Sequence, residues 1–213
     1  SFTGAATNII QEISFSSDGD ASDFGDLLSA SNYPGGADNG SSDRCDFAGG
    51  TSSGTAVNTI QHITMSSAGN STDAGDLLAA EYGGTGFSNA SNDRGLMTGG
   101  FEAPYGMPTN TIQYWTISTG SNASDFGDCT TENMYVGATS SAENERGVIA
   151  IGATMSGNVN TIEYVTINSA GNALDFGDLT VTRTSPAGLS NGTNNRAVFG
   201  GGFGNSVAHA QTM

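Results

Sequence analysis

The sequence predicts an all-β fold made from four copies of one unit, and three observations predict it. Four stretches nearly repeat one another: NIIQEISFSSDGDASDFGDLL from Asn8, NTIQHITMSSAGNSTDAGDLL from Asn58, NTIQYWTISTGSNASDFGDCT from Asn110 and NTIEYVTINSAGNALDFGDLT from Asn160, at steps of 50, 52 and 50 residues. A second block keeps the same steps: RCDFAGG from Arg44, RGLMTGG from Arg94, RGVIAIG from Arg146 and RAVFGGG from Arg196. The apolar residues fall in short runs between clusters of Gly, Asn and Ser, the pattern of short strands and tight turns. A fixed period of this size marks one supersecondary unit that buries its apolar surface against its neighbours.

Taken along one unit, the Arg block reads as a short buried strand ending in glycines that allow a tight turn. The Asn block is a second strand. One face carries Ile10, Ile60, Ile112 and Ile162, then Glu12, His62, Tyr114 and Tyr164; the other carries Ile13, Ile63, Trp115 and Val165, then Phe15, Met65, Ile117 and Ile167. Both faces hold apolar residues, so the sheet is covered on both sides. A Ser/Gly/Asn turn and the Asp-Phe-Gly-Asp block then lead into a third strand, such as Leu179 to Thr182. The variable segment that follows, such as Ala187 to Asn195, has room for a short fourth strand. Four strands in each roughly 50-residue unit, stacked face to face, make a propeller blade.

At this point the chain resembles the kelch-like β-propellers, through strands ending in glycines (Phe47 to Gly50, Val198 to Gly202) followed by strands of the type NTIEYVTI (Asn160 to Ile167). It departs from them in lacking the aromatic pair after the glycines and in having DFGD where a Trp is common. The blocks are more similar still to kelch-like arrays in structural proteins of marine tailed bacteriophages. The resemblance implies a virion or extracellular location. It also implies a non-enzymatic role in assembly or host attachment, as part of a fibre, tail, baseplate or capsid decoration. The partners implied are other virion proteins or a host-surface glycan or protein, and homo-oligomers fit the same setting.

The expected architecture is one domain over residues 1–213, a propeller of four blades, with five or an arc of a larger ring as alternatives. Its repeats span about 1–43 with 196–213, then 44–93, 94–145 and 146–195. Ser1 to Gly4 look like the tail of an Arg block and Asn205 to Met213 like a degraded Asn block, so the C-terminal strand is expected to close the ring. The absence of an initiating Met suggests a chain processed or cut from a longer polypeptide.

Composition limits function. A net charge of −16, from 21 acids against 5 Arg and no Lys, argues against nucleic-acid and anionic-lipid binding. No apolar run is long enough to span a membrane. Cys45 and Cys129 occupy unrelated slots of the repeat, and Cys129 replaces Leu27, Leu77 and Leu179, which suggests a buried free thiol over a disulfide.

The acids Asp23, Asp73, Asp125 and Asp175 are in register, as are Asp26, Asp76, Asp128 and Asp178. The expected role of these acids is to cap turns and accept hydrogen bonds from amides or from the repeat arginines Arg44, Arg94, Arg146 and Arg196. A carboxylate ring for a metal is the alternative. DFG also occurs in kinases, but three copies without a nucleotide loop or a Lys dismiss that reading. Asp18, Asp20 and Asp23 form a cluster of hard oxygens confined to the first repeat, which would suit Ca²⁺, against the plainer reading of an exposed acidic turn; no other cofactor is suggested. His62 and His209 have no zinc-like spacing and no triad partners. Recognition is better sought where the copies diverge, at the loop aromatics Tyr33, Tyr82, Phe87, Phe101, Tyr105 and Tyr135, which suit sugar or protein contact. A lectin is the second reading, but it would repeat its sites in register, and these aromatics look out of register.

Overall fold

The structure, a computed structural model, describes residues 5–38, 43–89, 92–141, 145–191 and 195–204. Strands make up 60% of it, no helix occurs among the described residues, and the sheets curl into a half-barrel. Three antiparallel four-stranded meanders follow one another in chain order, the second widened to a six-stranded sheet by Glu81–Tyr82 and Phe101–Glu102. The first is Gly35–Asp38, Arg44–Ala48, Thr59–Thr64 and Thr72–Asp76. The second is Thr85–Asn89, Arg94–Thr98, Met107–Thr116 and Ser124–Asn133. The third is Gly137–Ser141, Arg146–Ala150, Thr161–Thr166 and Leu174–Asp178. A half-sheet precedes them, Thr7–Glu12 with Ser22–Asn32, and another follows, Ala187–Ser190 with Ala197–Gly200.

Two expectations shift. The third strand is the Asp-Phe-Gly-Asp block itself, not the segment after it. The strand of the variable segment pairs with the Arg strand that follows it, so each sheet starts about ten residues before its Arg block. The expected closing segments, Ser1 to Gly4 and Asn205 to Met213, lie outside the described residues. Among the described residues no ladder joins Thr7–Glu12 to Ala197–Gly200.

The Asp-Phe-Gly-Asp block is a β-bulge. Opposite consecutive residues of the Asn strand the block advances by two, as in Ile60 with Gly75 and Gln61 with Asp73. The skipped residue, Ala74 here and Phe24, Phe126 or Phe176 elsewhere, is turned out of the ladder toward the next sheet. The preceding Asp holds the kink: Asp73, Asp125 and Asp175 each accept the amide two residues on, all at 3.0 Å.

Sheets are joined by a repeated set of hydrogen bonds. Asn70, Asn122 and Asn172 accept the amides of Asp26, Asp76 and Asp128 in the sheet before, at 3.0, 3.1 and 3.1 Å. The amides of Ser71, Ala123 and Ala173 return a bond to the carbonyls of the same aspartates. Gln61, Gln113 and Glu163 accept the amides of Leu28, Leu78 and Thr130. Arg44 and Arg94 reach forward to the carbonyls of Ile117 (3.2 Å) and Ile167 (2.8 Å). Arg44 and Arg94 therefore hold backbone carbonyls, while Asp73, Asp125 and Asp175 accept backbone amides, one of the two partners expected for the repeat aspartates. Between these joints lie the cores, such as Phe24 with Ile63 and Phe126 with Val165. Trp115 is buried as expected, in the cluster that holds the small Ala74.

Candidate functional site

The first strands of the successive sheets lie side by side and line the concave centre of the array. Hydroxyls stitch them together, Ser88 to the Asp38 carbonyl, Ser140 to that of Ser88 and Ser190 to that of Ser140. Just before these strands the chain makes the same turn four times. Tyr33, Gly83, Tyr135 and Ser185 hold φ of 59°, 71°, 56° and 52°. Left-handed backbone in two tyrosines and a serine is uncommon and is held by its surroundings. Here the Gly83 amide donates to the Tyr33 carbonyl (3.2 Å) and the Ser185 amide to that of Tyr135 (2.7 Å).

These turns surround a cavity of about 570 Å³, lined chiefly by Tyr33, Tyr82, Phe101, Tyr135, Pro34 and Pro186. Tyr82 stacks on Phe101 with centroids 5.2 Å apart, and Tyr135 meets Phe101 edge-on at 5.3 Å. No lining residue carries a charge, so an anion would find no counter-charge. Stacked and edge-on rings present flat apolar faces, and the tyrosines among them add hydroxyls that can hydrogen-bond.

Four of the six expected aromatics thus meet in one mouth. Tyr33 and Tyr135 sit in the same slot of the repeat, so the expectation that the loop aromatics are out of register is corrected for this pair. Phe87 is also corrected: it lies in a central strand and is only 5% exposed, packed in the core. Its position after two small residues in a strand-like run was the missed signal. Tyr105 is exposed outside the mouth, in the turn beyond Phe101. Missed from sequence were Pro186, which shares a slot with the divergent-loop residue Pro34, and Glu81, buried next to Tyr82 in the chain.

Glu81 is held above the usual carboxylate range, to about 8, by burial and then by the nearby Glu102, while a 2.7 Å bond from Gln113 opposes the shift. Asp46, fully buried, rises to about 6 through burial; Trp115 donates to one of its oxygens at 2.7 Å and the other has no partner.

The remaining candidates take structural places. Asp18 and Asp20 lie in the first turn and Asp23 in the strand pairing with Gln11. Among the described residues no three acids, His or Cys gather as a metal site. His62 accepts from Arg44 at 2.7 Å, and its pKa is lowered by burial and then by that guanidinium. His209 lies outside the described residues. Both cysteines are free thiols, and burial pushes Cys129 to about 12. No helix among the described residues is long and apolar enough to cross a membrane. Compared with known proteins, the chain matches no family model and no curated protein.

Proposed function

We propose that this chain is a non-enzymatic interaction module of a tailed-phage virion, acting in assembly or host-surface attachment through its central aromatic mouth. In this reading the sheets are kelch-like propeller blades, and residues 7–32 and 187–200 are the two halves of a fourth blade. The observation that carries the proposal is the convergence of Tyr33, Tyr82, Phe101 and Tyr135 at the centre of a rigidly jointed array. Recognition surfaces concentrate such anchors on loops held by a stiff scaffold. The virion setting rests on the sequence resemblance. The acidic, lysine-free composition fits an extracellular particle.

A second reading, a carbohydrate-binding propeller, is favoured by the same uncharged aromatic mouth, since ring faces stack on sugar rings. It takes one site per array instead of one per repeat. A panel of neutral glycans and host-cell envelopes tests both. Binding should be saturable at one site and fall about tenfold or more in Tyr33→Ala and Tyr135→Ala, the loss of one aromatic anchor each. Binding unchanged in both variants would remove the mouth from the function.

A further inference from the structure

The two ends of the array are unfinished in complementary ways. Phe24 and Phe126 are 5% and 2% exposed beneath the next sheet, whereas Phe176 in the same slot is 52% exposed. At the other end Ile13 is 62% exposed, although its counterparts Ile63, Trp115 and Val165 are buried. A Cβ on Gly25, Gly75 or Gly127 would strike the turn of the following sheet, while one on Gly177 meets open space. Beside Gly177, a groove of about 400 Å³ separates the third sheet from the C-terminal half-sheet. Its lining includes Phe176, Asp178, Thr180 and three of the five arginines, Arg146, Arg183 and Arg196.

Each interior joint names what belongs there. The donors at this edge are the amides of Asp178 and Thr180, in the slots of Asp26 and Leu28. At the N-terminal edge the matching acceptors are Asp20, in the slot of Asn70, and Gln11, in the slot of Gln61. Gly19, in the slot of Gly69, has nothing within 4 Å that would obstruct docking. The Phe15 carbonyl takes the slot of Ile117 and Ile167 and would receive Arg146. Within complete sheets the repeat Arg meets the Asn strand's facing residue: Arg44 bonds His62, and Arg94 and Arg146 stack on Tyr114 and Tyr164. In the half-sheets those slots hold Arg196 and Glu12, opposite charges at the two ends. The acidic turn from Glu12 to Asp20 faces outward at one edge, and the arginine-lined groove at the other.

We infer that the arginine-lined groove receives the N-terminal half-sheet of a second copy of this chain, head to tail. The incoming Thr7–Glu12 strand pairs with Ala197–Gly200, Ile13 covers Phe176, and Asp20 and Gln11 clamp the amides of Asp178 and Thr180. The inference rests on reading residues 7–32 and 187–200 as halves of one sheet. A second copy is the occupant because, among the described residues of one chain, no ladder joins Thr7–Glu12 to Ala197–Gly200, and Ile13 and Phe176 are both left exposed. A heterologous contact of this kind builds a ring of several copies or a filament.

Sedimentation of the full chain across a concentration series tests this. The wild type should associate as concentration rises, and salt should weaken it. Glu12→Arg alone and Arg196→Glu alone, both at exposed positions, should each weaken association by roughly tenfold or more through like-charge contact. The double reversal should restore it, and so should a mixture of the two single variants, because each then supplies the other's complement. Gln11→Ala with Asp20→Ala should also weaken it. A wild type that stays monomeric overturns the inference; edge amides that are then protected from exchange would show closure within one chain, leaving the half-sheet reading intact. Association that ignores the charge reversals overturns both.

Discussion

At the residue scale, the buried acids define how stability depends on pH. Glu81 has a folded pKa near 8 against an ordinary 4.5, and Asp46 one near 6 against 3.8. Both are raised, so both favour the fold fully only when protonated, below their ordinary values. That stability is lost as pH rises, through about 6 for Asp46 and about 8 for Glu81. Chemical denaturation should therefore show stability falling between pH 4 and pH 8. Glu81→Gln keeps an acceptor for Gln113 but cannot ionise, and it should remove about 1.4 kcal/mol per pH unit from the slope between pH 5 and 7. A slope unchanged by the substitution would show that Glu81 titrates alike in both states. Neither group was legible in the sequence. Glu81 stands in a divergent segment and Asp46 replaces an apolar residue in a strand, and only the Trp115 indole from the adjacent sheet explains an acid there.

At the element scale, the repeat made the strands legible but not their partners. The Arg and Asn strands fall where the duplicated blocks place them. The bulge did not show, because a sequence reads DFGD as a turn signal until the ladder skips Phe24, Ala74 or Phe126. Slot-by-slot comparison also hid that Ala74 and Trp115, the smallest and largest side chains of their slots, share one cluster across two sheets. The glycine of the bulge is where this design is most exposed to damage. Gly75 has φ of +144°, and an added Cβ would meet the Ser121–Asn122 backbone. Gly75→Ala should cost roughly 3 kcal/mol, from backbone strain and displacement of the joint. Gly171→Ala, with nothing within 4 Å and an ordinary backbone, should change stability by less than about 0.5 kcal/mol. Equal effects at the two sites, measured by denaturant melts, would contradict this account of the joint.

At the scale of the whole molecule, the array behaves as a short one-dimensional stack in which each sheet is stabilised by its neighbours. Its mouth was partly legible: four loop aromatics were singled out, but their meeting depends on side-by-side central strands that no local pattern reveals. The stack also makes stability uneven along the chain. The second sheet is covered on both sides, with Leu96, Met97, Ile112 and Trp115 all buried, whereas the end half-sheets expose Ile9, Leu189 and Val198. In native-state hydrogen exchange at dilute concentration, amides of Arg94–Thr98 and Met107–Thr116 should therefore exchange slowest, through global opening. Those of Thr7–Glu12 and Ala197–Gly200 should exchange fastest, through local fraying. The contrast is expected because the first and second complete sheets each have two clamped joints, whereas the N-terminal half-sheet has one and the C-terminal half-sheet has none. Uniform protection from Thr7 to Gly200 in a dilute monomer would mean that the ends are joined, and that the coverage of Phe176 and Ile13 is supplied within one chain.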